Sequence, residues 1–370
     1  MTISRRTLLH ASGGLAVALL ASQSGARLIA AQGGAAYDVV DLGPFETIVP
    51  VESGFSITGL SRITGLNESG DVCGRFANSE ERFSPAIWPQ TGELRRLKSA
   101  TLGGEARAIN AGGVVVGRQQ YETDAGFITR ATVWRDGEPT NLPGLLFGEE
   151  GSARDINDAG VIVGGVGTPV IGARWIDDEA EELPTPEGAT GFAPWRITND
   201  GTIFGVVVLD AGTGPRQVAM LRGDEYTVFD LPDEVAGYLA VNGATAIGLS
   251  ENEIGVVTVG FESTVFPIRI DGDETTVIGP PAADLNLALW DVNVEGDAVG
   301  YAWAQAEGFD TVNAVAVLHR DGELIDLNTL VSPGDLRVSE ALAINDSGVI
   351  AGHARDASGV LHGVILSPAG

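Results

Sequence analysis

The chain of 370 residues contains one cysteine, Cys73, one lysine, Lys98, and four histidines. A lone cysteine forms no internal disulfide, so the fold must be held by packing. Cys73 stands at a strand position that related stretches fill with Val116, Val163 or Ala351, which marks it as a small core residue. Basic charge is equally scarce: 22 Lys and Arg face 50 Asp and Glu, a formal net charge of −28. With no basic stripe to offset phosphate, nucleic acid and anionic membrane are disfavoured as partners, and the acidity suits a soluble exported protein. No Gly-x-Ser-x-Gly elbow, phosphate loop or Cys-x-x-Cys pair occurs, and Gly164-Gly165-x-Gly167 ends a strand with no helix after it.

Metal-site signals are equally thin. His10 lies in the leader, His319 stands where Trp134 stands in another copy, and His353 and His362 follow a second strand into a loop without a paired carboxylate motif. Asp291-x-Asn293-x-Glu295-Gly296 has the opening of a calcium loop, but its twelfth position is Ala302. No metal and no cofactor are expected.

What the chain has in abundance is one phrase. AINDSGVIAG, Ala343 to Gly352, reads as a tight hairpin in which Asn345 bonds its own downstream backbone and Gly348 takes the left-handed conformation. LNESGDVCG, INAGGVVVG, INDAGVIVG and VNVEGDAVG repeat it, while Thr198 replaces the Asn in one worn copy and Glu253 the glycine in another. The turn positions Gly70, Gly113, Gly160, Gly201, Glu253, Gly296 and Gly348 are separated by 43, 47, 41, 52, 43 and 52 residues, the period of a four-stranded propeller blade. Each copy precedes a second hairpin signature such as AIWPQTGELRRL, ATVWRDGEPTNL or AVLHRDGELIDL, so each unit holds four strands. The seventh unit runs out after GVILSPAG, and YDVVDLG, Tyr37 to Gly43, has the ending it lacks. The expected fold is therefore an all-β, seven-bladed β-propeller of four antiparallel strands per blade, over residues 37–370, closed by the N-terminal strand.

Residues 1–31 read as an export signal, with Ser4-Arg5-Arg6-x-Leu8-Leu9 resembling the twin-arginine address and an apolar stretch too short for a permanent anchor. Export by the twin-arginine route, to the periplasm, cell surface or medium, follows, with no stable membrane insertion after cleavage. Cleavage near Ala31 leaves no length for a separate catalytic domain, and the chain is read as a monomer.

ALAINDSGVIAG, ARDINDAGVIVG and YDVVDLG together resemble the extracellular HAF repeat family, whose pattern joins Ala-x-x-Ile-Asn-Asp-x-Gly-x-Ile-x-Gly to a His-Ala-Phe-Leu-Trp strand and an Asp-Leu-Gly ending. The resemblance covers Tyr37 to the C-terminus, with the His-Ala-Phe triplet degraded to Arg130-Ala131-Thr132 and His362-Gly363-Val364. It implies a secreted propeller-like repeat protein and no particular reaction.

If both short turns of each blade share one face, the long segments Arg75–Ser84, Arg118–Arg130, Pro143–Ser152, Pro232–Asn242 and Tyr301–Val312 share the other, the default ligand face. Six residues before each turn position, at the start of the innermost strand, stand Thr64, Arg107, Arg154, Trp195, Ile247, Trp290 and Leu342. Arginines and tryptophans at a channel mouth can grip carboxylates or stack on sugars, so Arg107, Arg154, Trp195 and Trp290 are the candidate binding groups, with Arg75, Arg118, Tyr301 and His353 on the same rim. No catalytic residue is assigned. The expected function is non-enzymatic binding of an extracellular glycan, envelope component or protein; the alternatives are a propeller glycoside hydrolase or polysaccharide lyase, and a structural envelope protein.

Overall fold

The structure is a computed structural model that describes residues 28–29, 36–51, 54–77, 83–90, 93–99, 103–124, 126–145, 150–167, 171–209, 216–242, 244–261, 264–305, 313–332 and 334–369. The twin-arginine stretch lies outside the described residues.

Seven four-stranded antiparallel sheets form a ring, a seven-bladed β-propeller. The blades run from inside out as Arg62–Leu66, Val72–Ala77, Phe83–Trp88 and Arg95–Arg96; Gly104–Ile109, Val115–Thr123, Gly126–Arg135 and Glu138–Asn141; Gly151–Ile156, Ile162–Val166, Ile171–Ile176 and Glu179–Glu182; Gly191–Ile197, Ile203–Val208, Arg216–Arg222 and Glu225–Val228. Blade five is Ala244–Leu249, Gly255–Phe261, Thr264–Asp271 and Glu274–Val277. Blade six is Leu285–Val292, Ala298–Ala304, Val315–Arg320 and Glu323–Asp326. Blade seven takes Arg337–Ile344, Ile350–Arg355 and Leu361–Pro368 from the C-terminus and Tyr37–Pro44 from the N-terminus.

The N-terminal strand thus closes the ring as expected. Its backbone is tied further by the Tyr37 N–H, which donates to the Leu330 carbonyl at 3.0 Å. Leu28–Ile29, within the segment expected to be removed, lies parallel to Leu324–Ile325 at the outer edge of blade six. A hairpin, Glu46–Val51 with Gly54–Leu60, joins the closing strand to blade one.

Successive side chains point to opposite faces of a strand, and runs such as residues 203–207 and 218–221 are buried at every position, so each sheet has two buried faces and the core is divided among the blade interfaces. Cys73, Ile87 and Leu97 of blade one meet Ala106, Val115 and Trp134 of blade two, and equivalent clusters fill the other six junctions. Cys73 is fully buried, and burial pushes its thiol up to about 12, as fits a core residue.

Packing is not alone in holding the ring. Asn345 Oδ1 accepts the Val349 N–H at 2.9 Å to close its own turn, and Asn345 Nδ2 donates to the Asn67 carbonyl of the next blade at 3.0 Å. Asn67 reaches Asn110, Asn110 reaches Asn157, Asn157 reaches Thr198 and Asn293 reaches Asn345 in the same way. All five asparagines are buried. The repeated phrase is therefore a belt of inter-blade hydrogen bonds as well as a turn. In the worn copies Thr198 and Ser250 still accept the fourth N–H onward, at 3.0 Å each, but a hydroxyl is too short for the lateral bond. Asn252 substitutes from two residues on, donating to the Val294 carbonyl at 2.7 Å.

The glycine that ends the phrase has a separate cause. In most blades the innermost strand bulges opposite it, and a Cβ on Gly352 would lie 2.0 Å from the Glu340 carbonyl oxygen. Gly74, Gly117, Gly164, Gly205 and Gly300 meet the same obstruction. Blade five has Val257 there, and its bulge is displaced to between Ala244 and Ala246.

Two expected loops are ordered elements. Arg118–Arg130 is the tall hairpin of blade two, as its run of β-formers allows, with Phe127 63% exposed near its tip. Within Pro232–Asn242 the chain forms a helix, Asp233–Asn242. Pro232 before the first turn and Asp233 at its start favour helix initiation, and Val235 and Leu239, one turn apart, are buried against blades four and five. This helix is not long and apolar enough to cross a membrane, and no other described helix is.

Candidate functional site: an arginine-lined channel end

The bulges decide which inner-strand side chains leave the ladder. Thr64, Arg107, Arg154, Trp195, Trp290 and Leu342 are the unpaired residues of their strands. Ile247 is not: it pairs with Val257 and is buried in the core between blades four and five, because the bulge of that blade has moved. These positions fall in the second half of the strand rather than at its start, so they line the channel wall below the mouth.

On the long-loop side the guanidiniums converge. Arg118, Arg107 and Arg75 lie 3.1, 3.5 and 4.0 Å from the Glu105 carboxylate. Arg154 has no carboxylate partner among the described residues; it lies over the Trp195 ring at 4.0 Å. Desolvation, reinforced by repulsion from Arg107, Arg196 and Arg118, pulls the Arg154 guanidinium well below its usual pKa. Arg62 lies 5.1 Å from the centre of the Trp290 ring, and Tyr301 stacks on the same indole at 6.2 Å. Burial, then the Glu340 charge, pushes the Tyr301 hydroxyl up to about 12.

Of the sequence candidates, Arg75, Arg107, Arg118 and Arg154 are thus brought together. Trp195 and Trp290 back arginines instead of presenting free platforms, since each ring already carries a guanidinium and packs on a neighbouring core. His353 is not on the rim. It lies within the second strand, 3% exposed, with Nδ1 2.9 Å from Glu340 and its ring edge-on to Phe45. It holds the same register position as Arg75 and Arg118, directly after the glycine that ends the phrase, but Phe45 packs against it. His362 is also in a strand, with Nδ1 3.0 Å from Asp41 of the closing strand. The calcium-like stretch is occupied by structural bonds: Asp291 accepts the Ile344 N–H at 3.1 Å and Asn293 accepts the Asp297 N–H at 3.0 Å. No group of three metal-ligating side chains occurs among the described residues.

Sequence reasoning missed Glu105, Arg62 and the opposite mouth. On the tight-turn side a cavity of ≈ 180 Å³, lined from all seven blades, is walled by Glu68, Asp158, Glu251 and Asp346, with Asp155, Asp291 and a single cation, Arg196, deeper in. The outer acids are the residues directly after Asn67, Asn157 and Asn345 and, in a worn copy, after Ser250. Asp158 accepts the Ala111 N–H at 2.8 Å, Glu251 the Asn199 N–H at 2.7 Å, Asp346 the Val294 N–H at 3.0 Å and Glu68 the Asp346 N–H at 3.0 Å. Asp155 likewise takes the Ile197 N–H at 2.9 Å. Desolvation raises the pKa of Asp155, Glu68 and Glu251, and lifts Asp291 to about 6 against the pull of Arg196.

No family model and no curated protein sequence matches the chain. Among solved structures it is similar to the β-propeller domain of the Trilobed protease from Pyrococcus furiosus, at 13% identity and a TM-score of 0.46 over 83% of this chain and 99% of that one. It is also similar to TolB from Acinetobacter baumannii, at 12% identity and 0.42 over 74% and 69%. A polysaccharide lyase, an ulvan lyase, matches at 13% identity and 0.41 over 92% and 96%. At these scores none of the likenesses bears on the channel.

Proposed function

We propose that this is an exported propeller of the HAF repeat type that binds an anionic extracellular ligand at the long-loop end of its channel, without chemistry. The paired arginine of the leader supports export, and the repeat phrase supports the family. The observation that carries the binding role is Arg154, a desolvated guanidinium with no carboxylate partner among the described residues, surrounded by other arginines in a chain of net charge −28. A charge taken out of water without a counter-charge is costly, and a carboxylate-bearing ligand would offset that cost. Trp195 holds the guanidinium plane and leaves its N–H edge for a bidentate contact. Binding is better supported than cleavage because the carboxylates beside the arginines and Tyr301, Glu105 and Glu340, are engaged by three arginines and by His353 respectively.

Calorimetric titration with oligogalacturonate tests this reading. Binding should weaken with added salt, and Arg154→Ala should cost about 1.5–3 kcal/mol, the worth of a charge-assisted hydrogen bond. A neutral oligomer bound equally well, with no loss in Arg154→Ala, would reject the site.

A further inference from the structure

We infer that the ligand is held end-on: the site reads the acidic terminal residue of a glycan, whose neutral following residues lie in the cleft between blades one and two. This rests on the anion-binding reading above. The first observation is the polarity of the channel. Along the third inner strand Arg154 is followed at once by Asp155 and, within the turn, by Asp158, only four residues on and so at most about 13 Å away at ~3.3 Å per residue. The collar of carboxylates there is anchored, since Asp155, Asp158, Glu251 and Asp346 each hold a backbone N–H of an adjacent blade. These groups cannot swing aside for a passing chain. An acidic polymer threaded through the channel would bring further carboxylates against them in a space where water screens poorly. An acidic terminus can enter from the arginine side and stop.

The second observation is a cavity of ≈ 170 Å³ on the long-loop side that shares Arg75, Glu105 and Arg118 with the arginine cluster. Its remaining wall includes Phe83, Gln119, Gln120 and Thr129. Phe83 is 37% exposed, with Arg75 over its ring at 4.4 Å. Amide and hydroxyl side chains beside an aromatic ring suit an uncharged, hydroxyl-rich sugar and have little to offer a second carboxylate. The arginine cluster and the cleft therefore form one continuous site, with the acid at the inner end and neutral sugar outside.

The test uses the full chain and four tetrasaccharides of one neutral backbone: two with a single uronate, one at either terminus, one with the uronate at an internal position, and one with none. A terminal uronate should bind at least about tenfold more tightly than an internal one, because only the internal form drives chain against like charge. Replacing the inner acids, Asp155→Asn with Asp291→Asn, keeps an oxygen for each backbone N–H and should narrow that difference. Equal affinity for terminal and internal uronates, both still weakened by Arg154→Ala, rejects end-on binding and leaves the anion site standing. Failure of every acidic form to bind rejects both readings. A terminal preference that the double Asn variant leaves untouched also overturns the proposal, since the collar would then not be its cause.

Discussion

The two ends of the channel are made from the same seven inner strands, yet they differ in every physical respect. At the tight-turn end the side chains repeat from blade to blade and are consumed by structure: asparagines bridge neighbours, and the acids beside them hold backbone N–H groups. On the channel wall toward the long-loop end the positions before the turn hold Arg107, Arg154, Trp195 and Trp290, no two adjacent blades are alike beyond the arginine pair, and Arg154 has no ionic partner among the described residues. Repetition marks the end that holds the ring, and irregularity marks the end free to recognise something.

The harshest way to break the first end is to remove its closure. Deleting residues 37–43 strips the outer ladder of blade seven and exposes the edge of Leu361–Pro368, so the protein should fail to fold cooperatively or should aggregate. A deletion that leaves the melting temperature near that of the intact chain would mean the ring does not depend on the N-terminal strand. Next in size is Asn345→Ala at the junction of blades seven and one. It leaves the Val349 N–H without its acceptor and the Asn67 carbonyl without one donor, and should cost about 2–4 kcal/mol in denaturant unfolding, as two buried hydrogen-bonding groups lose their partner. A loss below about 1 kcal/mol would reduce the belt to a by-product of the turn.

The acidic wall makes a pH prediction of similar or smaller size. Asp291 is raised from an ordinary 3.8 to about 6 by desolvation. Its charged form is therefore disfavoured in the folded state, so its contribution to stability is fully present below the unfolded pKa and is lost as pH rises through about 6. At about 1.4 kcal/mol per pKa unit this amounts to at most about 3 kcal/mol. The difference in unfolding free energy between the wild type and Asp291→Asn should change between pH 4 and pH 7 in that direction. A difference that stays flat across the window would place Asp291 in ordinary solvation.

Much of the tight-turn end was legible because its chemistry is local. Asn345 and Gly348 are three residues apart and act on the same turn, so spacing along the chain reports them, and the blade count and the closing strand follow. The long-loop end was half legible. Counting back from the turn located Arg107, Arg154, Trp195 and Trp290 at true bulges, but the count failed at Ile247, where Val257 replaces the glycine and the bulge has moved. The ionic partners were invisible, since Glu105 gathers arginines from blades one and two that only ring closure brings together. His353 was misread because it shares the register position of Arg75 and Arg118, whereas in blade seven Phe45, just after the closing strand, packs against it.

The smallest effect sharpens the comparison instead of breaking it. If the asparagine belt is a portable device, it should be possible to restore it where the chain has lost it. Ser250 already closes its own turn through the Ile254 N–H at 3.0 Å, and the carbonyl a lateral bond would need, that of Asn293, already accepts the Gly296 N–H at 2.9 Å as Asn67 does that of Gly70. At the equivalent junction the Asn67 carbonyl also receives Asn345 Nδ2, so one carbonyl serves both donors. Ser250→Asn should then add one buried inter-blade hydrogen bond and stabilise the protein by about 0.5–1.5 kcal/mol. The gain should be read by urea unfolding with an unchanged slope, so that it reports stability and not a looser native state. Destabilisation instead would show that Asn252, which now bridges to the Val294 carbonyl, occupies the space the new amide requires, and that this junction has settled on a different bridge rather than lost one.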